Sequence, residues 1–321
     1  MIPGSVNLIP ETSIDLIRDL AILSEKLGFE RCWVYDEGLA TRDVYVTMTA
    51  ILEATEKLIV GPGITNSYTR HPGQTAAAIA SLDEMSTGRA FLGIGAGGSL
   101  TLDPLGIERH KPLETVRQTI YACRKLFAGE RIDLEAPGFS FKSAQLDYGR
   151  CDIEIWLAGR GPKMLDLGGS DADGVMLDFI FKPSLGEYVH QIKMGAERNN
   201  NKPKICYSTM IVTDDEALEI VRPHMTYRLV DSPKEVLEEL GINEKDISRI
   251  RGALAEGLES AAQHVRDEWV FPFVISGNVK ECSEELSSLF ELHGFDEFMI
   301  PIFETESGAS LLKTTSQVLG G

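Results

Sequence analysis

Three glycine-rich segments are where this chain could close its backbone around a ligand. The first is Ile59-Val-Gly-Pro-Gly-Ile-Thr-Asn-Ser-Tyr-Thr-Arg-His-Pro72, an apolar run that breaks at Gly61-Pro62-Gly63 and crosses a polar cluster before His71-Pro72. It reads as a buried strand bending into a loop, with Pro72 at the start of a helix. The second is Gly93-Ile-Gly-Ala-Gly-Gly98, and the third is Ala158-Gly-Arg-Gly-Pro-Lys163. Glycine lets a backbone approach a ligand closely or adopt positive φ. In the third segment a helix starts directly after a strand, so its first free amides attract an anion, and Arg160 and Lys163 add positive charge. A bound phosphate is the chemical reading; a tight turn with two solvated cations is the alternative. The second segment has a superficial likeness to a dinucleotide fingerprint. Its third glycine falls early and no helix follows at once, so a mobile strand-end loop explains it equally well. The histidines make no metal constellation, and no Walker lysine, GxSxG elbow or HExxH is present.

The elements that must position these loops alternate along the chain. Val6–Ile9, Arg31–Tyr35, Leu58–Val60, Arg89–Ile94, Ile153–Leu157, Gly174–Leu177, Ile205–Val212 and Glu297–Ile302 read as strands. Amphipathic segments separate them, among them Val44–Thr55, Gln74–Met85, Glu114–Phe127, Lys163–Gly168, Leu185–Arg198 and Val279–His293. Eight strands with helical crossovers predict a closed α/β (β/α)8 TIM barrel, with an open doubly wound sheet as the alternative. Two stretches break the rhythm. Residues 129–152 read as an excursion of short strands before the fifth barrel strand, and residues 214–271 as a helical insertion between the seventh and eighth. No linker divides the chain, so residues 1–321 are expected to form a single barrel domain. In a barrel, ligands sit at the C-terminal strand ends, where all three glycine segments fall.

Composition excludes several classes. Of 321 residues, 49 are acidic and 31 basic, a formal net charge of −18. Such a surface repels nucleic-acid phosphates and anionic lipid. The five cysteines are scattered and lack any CxxC spacing, which fits free thiols in a reducing cytoplasm. The first residues lack the pattern of a signal peptide, and no apolar run approaches the roughly 20 residues that span a bilayer.

The segment Gly61–Pro72 closely resembles the matching stretch of methylenetetrahydromethanopterin reductases, within the bacterial luciferase-like superfamily of flavin- and deazaflavin-dependent barrels. The likeness continues through Ser81-Leu-Asp83, Ser86–Arg89, Gly93–Gly97, Ala158–Met164, Ala172–Val175 and Phe29–Asp36. The resemblance implies coenzyme F420, with FMN as the alternative of the same superfamily, and a cytoplasmic homodimer or homotetramer. It implies a bulge with a non-prolyl cis peptide at Gly63–Ile64 beneath the cofactor ring. Asp36, Asn66, Gly95, Gly97, Thr101 and Gly159 match cofactor-facing positions, and Arg160, Gly161, Lys163 and Met164 match the phosphate side. The chain also departs from the pattern. Asn7 stands where the reductases carry a first-strand glutamate, Gly98 where they carry an aspartate, and Glu37 where related dehydrogenases carry a histidine. The implied reaction is hydride transfer to or from a tetrahydropterin bearing a one-carbon group. An amide cannot shuttle a proton at neutral pH, so Glu37 is the candidate for proton handling and Asn7 a candidate contact at the reacting centre. An FMN-dependent monooxygenase and a catalytically altered cofactor-binding member remain as alternatives. Trp33 and Trp156, inside strands, are expected to be core. His71 is expected to start a helix rather than to catalyse.

Overall fold

The computed structural model describes residues 1–321. A parallel sheet runs around the molecule. Its strands are β1 (Gly4–Leu8), β2 (Arg31–Val34), β3 (Ile59–Pro62), β4 (Thr65–Asn66), β5 (Leu92–Gly95), β8 (Ile155–Ala158), β9 (Gly174–Asp178), β10 (Lys204–Ser208) and β13 (Glu297–Ile302). The order is β3-β2-β1-β13-β10-β9-β8-β5-β4, every pairing in it parallel. β3 and β4 are two halves of one barrel strand interrupted at Gly63–Ile64, so the two ends of the order meet and the sheet closes as a (β/α)8 barrel. A further bridge, Val60 to Ala90, spans the seam.

The barrel is covered by α1 (Ile14–Lys26), α2 (Val44–Ala54), α3 (Pro72–Met85), α5 (Pro112–Phe127), α6 (Pro162–Asp171), α7 (Leu185–Asn199), α13 (Val279–His293) and α14 (Thr305–Leu319). A short α4 (Ser99–Leu102) follows β5. The strand excursion is an antiparallel hairpin of β6 (Ile132–Ala136) and β7 (Phe139–Ala144). The insertion comprises α8 (Asp215–Val230), α9 (Lys234–Glu239), α10 (Glu244–Ala253), α11 (Leu258–Ala262) and α12 (Asp267–Val270). No helix is long and apolar enough to cross a membrane. All five cysteines are free.

Barrel strands are buried on both faces, so they read as near-continuous apolar runs. Trp33, Phe91, Trp156, Met176, Cys206 and Met299 fill the interior, and Trp33 and Trp156 are fully buried. A buried cation closes the floor. Arg31, at the start of β2, donates to Glu297 at 3.1 Å and Glu154 at 2.9 Å. Its guanidinium also lies 4.5 Å from the Phe91 ring centroid and 4.9 Å from that of Trp156. The indoles of Trp33 and Trp156 donate to the same two carboxylates at 3.2 and 2.9 Å. These bonds, through Nε and Nη2, offset much of the penalty of burying the charge, although Nη1 has no partner.

Two readings need correction. The run 205–212 is two strands, because β11 (Ile211–Val212) leaves the barrel to pair with β12 (Ile275–Ser276). Thr209, at the break, donates to the Phe273 carbonyl at 2.6 Å, so the chain turns toward the insertion. The fourth strand begins at Leu92, since Ala90 makes only an isolated bridge. The helix α14 lacked a sequence signal. Its Ser, Thr and Gly residues are weak helix formers, and it is held by packing: a Cβ on Gly308 would lie 2.8 Å from Ile302 Cγ2.

Candidate active site

The C-terminal strand ends surround a cavity of about 450 Å³. β1 contributes Asn7, the β2 end contributes Asp36 and Glu37, and the broken strand contributes Gly63, Ile64 and Asn66. The loop after β5 adds Gly97 and Thr101, and the loop after β8 adds Gly159 and Arg160. The bond between Gly63 and Ile64 is cis. A second cavity of about 660 Å³ lies beyond Arg160, where Gly161 forms part of the wall at the start of α6. The two spaces share Arg160 and Arg228.

Gly95, Lys163 and Met164 line neither cavity. Gly95 is buried in β5 and supports Ile64 from below: a Cβ there would lie 2.1 Å from Ile64 Cδ1. Met164 turns back onto Gly159, where a Cβ would lie 2.4 Å from its Cγ. Lys163 is exposed on the first turn of α6.

The polar groups are held by short local contacts. Thr65 donates to Asp36 Oδ2 at 2.6 Å, and Thr101 donates to Glu37 Oε2 at 2.9 Å. Burial pushes both carboxyls above the ordinary carboxylate range, against these hydroxyl bonds. Their neighbourhood adds like charge: Asp43 acts on Asp36, while Asp36 and Glu11 act on Glu37. Glu37 therefore keeps its proton to higher pH than an exposed glutamate, with Oε1 free of any protein partner. Asn66 commits its side-chain oxygen to the loop, accepting from the Tyr68 and Thr69 amides at 2.9 and 3.0 Å. Asn7 is 1% exposed and donates from Nδ2 to the Gly63 carbonyl at 3.0 Å. Gly98 faces open space, with nothing within 4 Å of a Cβ built on it.

His71 is occupied by structure. Its Nδ1 accepts from the Gly73 amide at 3.1 Å, capping α3, and its Nε2 meets the Ser140 carbonyl at 3.1 Å. Several wall residues escaped the sequence reading. Asp178 ends β9, and the strand-end rule could have found it. Arg228 had no local signal, because α8 brings it from 50 residues further along the chain. It pairs with Asp178 at 2.7 Å and lies 4.5 Å from the Phe179 ring centroid. Arg109 reaches the cavity from the far side of the loop after β5 and donates to the Gly97 carbonyl at 2.9 Å.

A closed parallel barrel with a broken third strand, glycine loops at its mouth and a buried polar cavity defines a ligand-binding luciferase-like barrel. The chain belongs to the luciferase-like monooxygenase family, whose sequence model matches residues 3–297. It is 32% identical over 295 residues to 5,10-methylenetetrahydromethanopterin reductase of Methanolobus tindarius, covering 89% of this chain and 90% of that protein. In three dimensions it resembles the coenzyme F420-dependent tetrahydromethanopterin reductase of Methanopyrus kandleri, with a TM-score of 0.87 at 24% identity, over 98% of this chain and 97% of that one. It also resembles an F420-dependent secondary alcohol dehydrogenase solved with an F420–acetone adduct, with a TM-score of 0.78 at 19% identity, over 98% of both chains.

Proposed function

We propose that this protein is a coenzyme F420-dependent oxidoreductase that transfers hydride between the deazaflavin and a tetrahydropterin carrying a one-carbon group, of the methylenetetrahydromethanopterin type. The observation that carries this is the match to the Methanolobus tindarius reductase over 89% of the chain, and every wall residue of the central cavity lies within the stretch matched by the family model. The residues fit such a group. The joined cavities are of small-molecule size, the wall glycines leave room for a flat ring, and a buried acceptor, Asn7 Oδ1, has no protein partner. Asn7, Ile64, Asn66 and Gly97 would hold the ring. Arg160 and the α6 start at Gly161 would hold its phosphate, aided by the amide end of the helix and by Lys163.

When bound, the deazaflavin supplies a hydride donor or acceptor. Reduction of a methylene bridge to a methyl group consumes one hydride and one proton, so an acid is useful beside the pterin nitrogen that is released. Glu37 would supply such a proton from Oε1, with Thr101 fixing its other oxygen. The shelf at Gly63–Ile64 would set the depth at which a ring can lie. The assembly we propose is a cytoplasmic homodimer or homotetramer. Supporting this are Leu39 and Leu100 at the mouth, 77% and 59% exposed.

Asn7 and Gly98 favour a second reading, a member that binds cofactor with altered or lost turnover. Titration with oxidised F420 and with FMN, followed by turnover of methylenetetrahydromethanopterin with reduced F420, separates these readings. The first reading expects F420 binding with a Kd of about 1–50 µM and turnover of about 1–1000 per second. Preference for FMN, or absence of F420 binding, sinks the cofactor assignment. Binding without turnover selects the second reading.

A further inference from the structure

Eight buried side-chain polar atoms lack a hydrogen-bond partner, and two of them, Asn7 Oδ1 and Arg228 Nε, belong to residues on the wall of the central cavity. Folded proteins leave few such atoms, because an unpaired buried group carries its full desolvation penalty. Asn7 is the better defined of the two. Its Nδ2 donates to the Gly63 carbonyl at 3.0 Å, which fixes the orientation of the amide. The flipped amide would set two acceptors face to face. The atom left over is therefore an acceptor on a residue 1% exposed. The amide also lies tight against the shelf, since a Cβ on Gly63 would sit 2.9 Å from Oδ1 and 3.0 Å from Nδ2.

We infer that Asn7 Oδ1 is a ligand contact: it accepts a hydrogen bond from an N–H on the edge of the ring system bound in the central cavity. The choice of ligands for testing it rests on the function proposed above. Both a deazaflavin and a tetrahydropterin carry such a lactam N–H edge, so the shared chemistry is a planar heterocycle with an N–H donor. A carboxylate in this place would repel the Gly63 carbonyl, whereas the amide donates to it at every pH. Asn7 thus reads the ligand without titrating, and it selects against rings that present only acceptors at that edge.

The test compares the wild type with Asn7→Leu and Asn7→Asp. Leucine is similar in size and has no acceptor; aspartate keeps an acceptor. The readouts are the thermal midpoint of the free protein, the Kd of oxidised F420 by fluorescence, and KM and kcat for the methylenetetrahydropterin. We expect Asn7→Leu to weaken one ligand by about 10-fold or more; Asn7→Asp keeps the acceptor and recovers part of that loss at a pH low enough for its carboxyl to hold a proton toward the Gly63 carbonyl. A rise in the F420 Kd identifies the cofactor as the partner. An unchanged Kd with a raised KM and unchanged kcat identifies the substrate. A changed thermal midpoint with both affinities intact overturns the inference and leaves Asn7 a purely structural residue. If the wild type binds no F420, the functional reading falls, and the variants are titrated with FMN, which carries the same kind of edge. Equal FMN affinity in the wild type and Asn7→Leu, or no binding in either, then overturns the inference.

Discussion

Gly95→Ala tests whether the shelf sets ligand position. Gly95 faces Asn66 across the β4–β5 pairing, and an added Cβ would lie 2.1 Å from Ile64 Cδ1. Ordinary carbon contacts sit at about 3.5–4.0 Å. The Cδ1 atom must therefore move by roughly 1.4 Å or more if it alone yields. Ile64 Cγ1 and the Ala158 carbonyl oxygen lie 3.4 and 3.3 Å from the same Cβ position, so the added methyl is crowded on that side as well. The open direction is the cavity that Ile64 lines. Overpacking of this kind costs about 1–3 kcal/mol of stability, a fall of roughly 1.5–4.5 °C in the thermal midpoint for a chain of this length. The effect on the site is larger, since a misplacement of about 1 Å can cost a factor of about 100. We expect the F420 Kd to rise by about 10-fold or more while the protein stays folded. Ile64→Val in the same chain removes Cδ1, the atom in collision, and restores affinity. Fluorescence titration and thermal melts of the single and double variants measure both effects. An unchanged Kd in Gly95→Ala, or a loss that Ile64→Val leaves uncorrected, refutes the argument.

Two further outcomes concern protons. Burial raises Glu37, so as an acid it is protonated below its folded pKa and loses its proton as pH climbs through that value. Wild-type kcat is expected to fall with rising pH across that window, and Glu37→Gln to show a low rate without this limb; an unaltered pH–rate profile in the variant removes Glu37 from the chemistry. His224 stacks on Phe303 with ring centroids 3.6 Å apart, and burial lowers its pKa from 6.5 to about 4. A folded value below the unfolded one makes its contribution complete above about pH 6.5 and progressively lost as pH falls toward 4. His224→Phe should therefore lose about 2 kcal/mol less than the wild type between pH 7 and 4.5, after allowing for partial exposure. Urea unfolding at the two pH values measures this, and equal losses in both proteins contradict it.

Much of the site was legible along the chain because a barrel converts sequence position into spatial position. Each strand is a short apolar run, and its C-terminal residue must reach the mouth, so Glu37, Gly63, Gly97 and Gly159 could be assigned to one face before any contact was known. A break was expected at Gly61-Pro62-Gly63 on the same local grounds, but Gly61 and Pro62 stay paired with Trp33 and Val34, and the interruption falls at Gly63–Ile64. The division of labour among the glycines was not visible. Gly97 lines the cavity and Gly95 supports Ile64, a difference decided by which neighbour occupies the missing Cβ position.

The sequence by itself determined the eightfold alternation, the glycine-rich mouth and the identity of the polar groups at the strand ends, because each depends on residues within one turn or one strand. Tertiary structure alone decided what those groups face. Arg228 meets Asp178 only through the path of the helical insertion, and Arg31 meets Glu297 only when the barrel closes. The orphaned oxygen of Asn7 exists only because Gly63, 56 residues away, takes the amide's donor. Hydrogen bonds and burial at such separations are set by the closed sheet, and no local pattern encodes them.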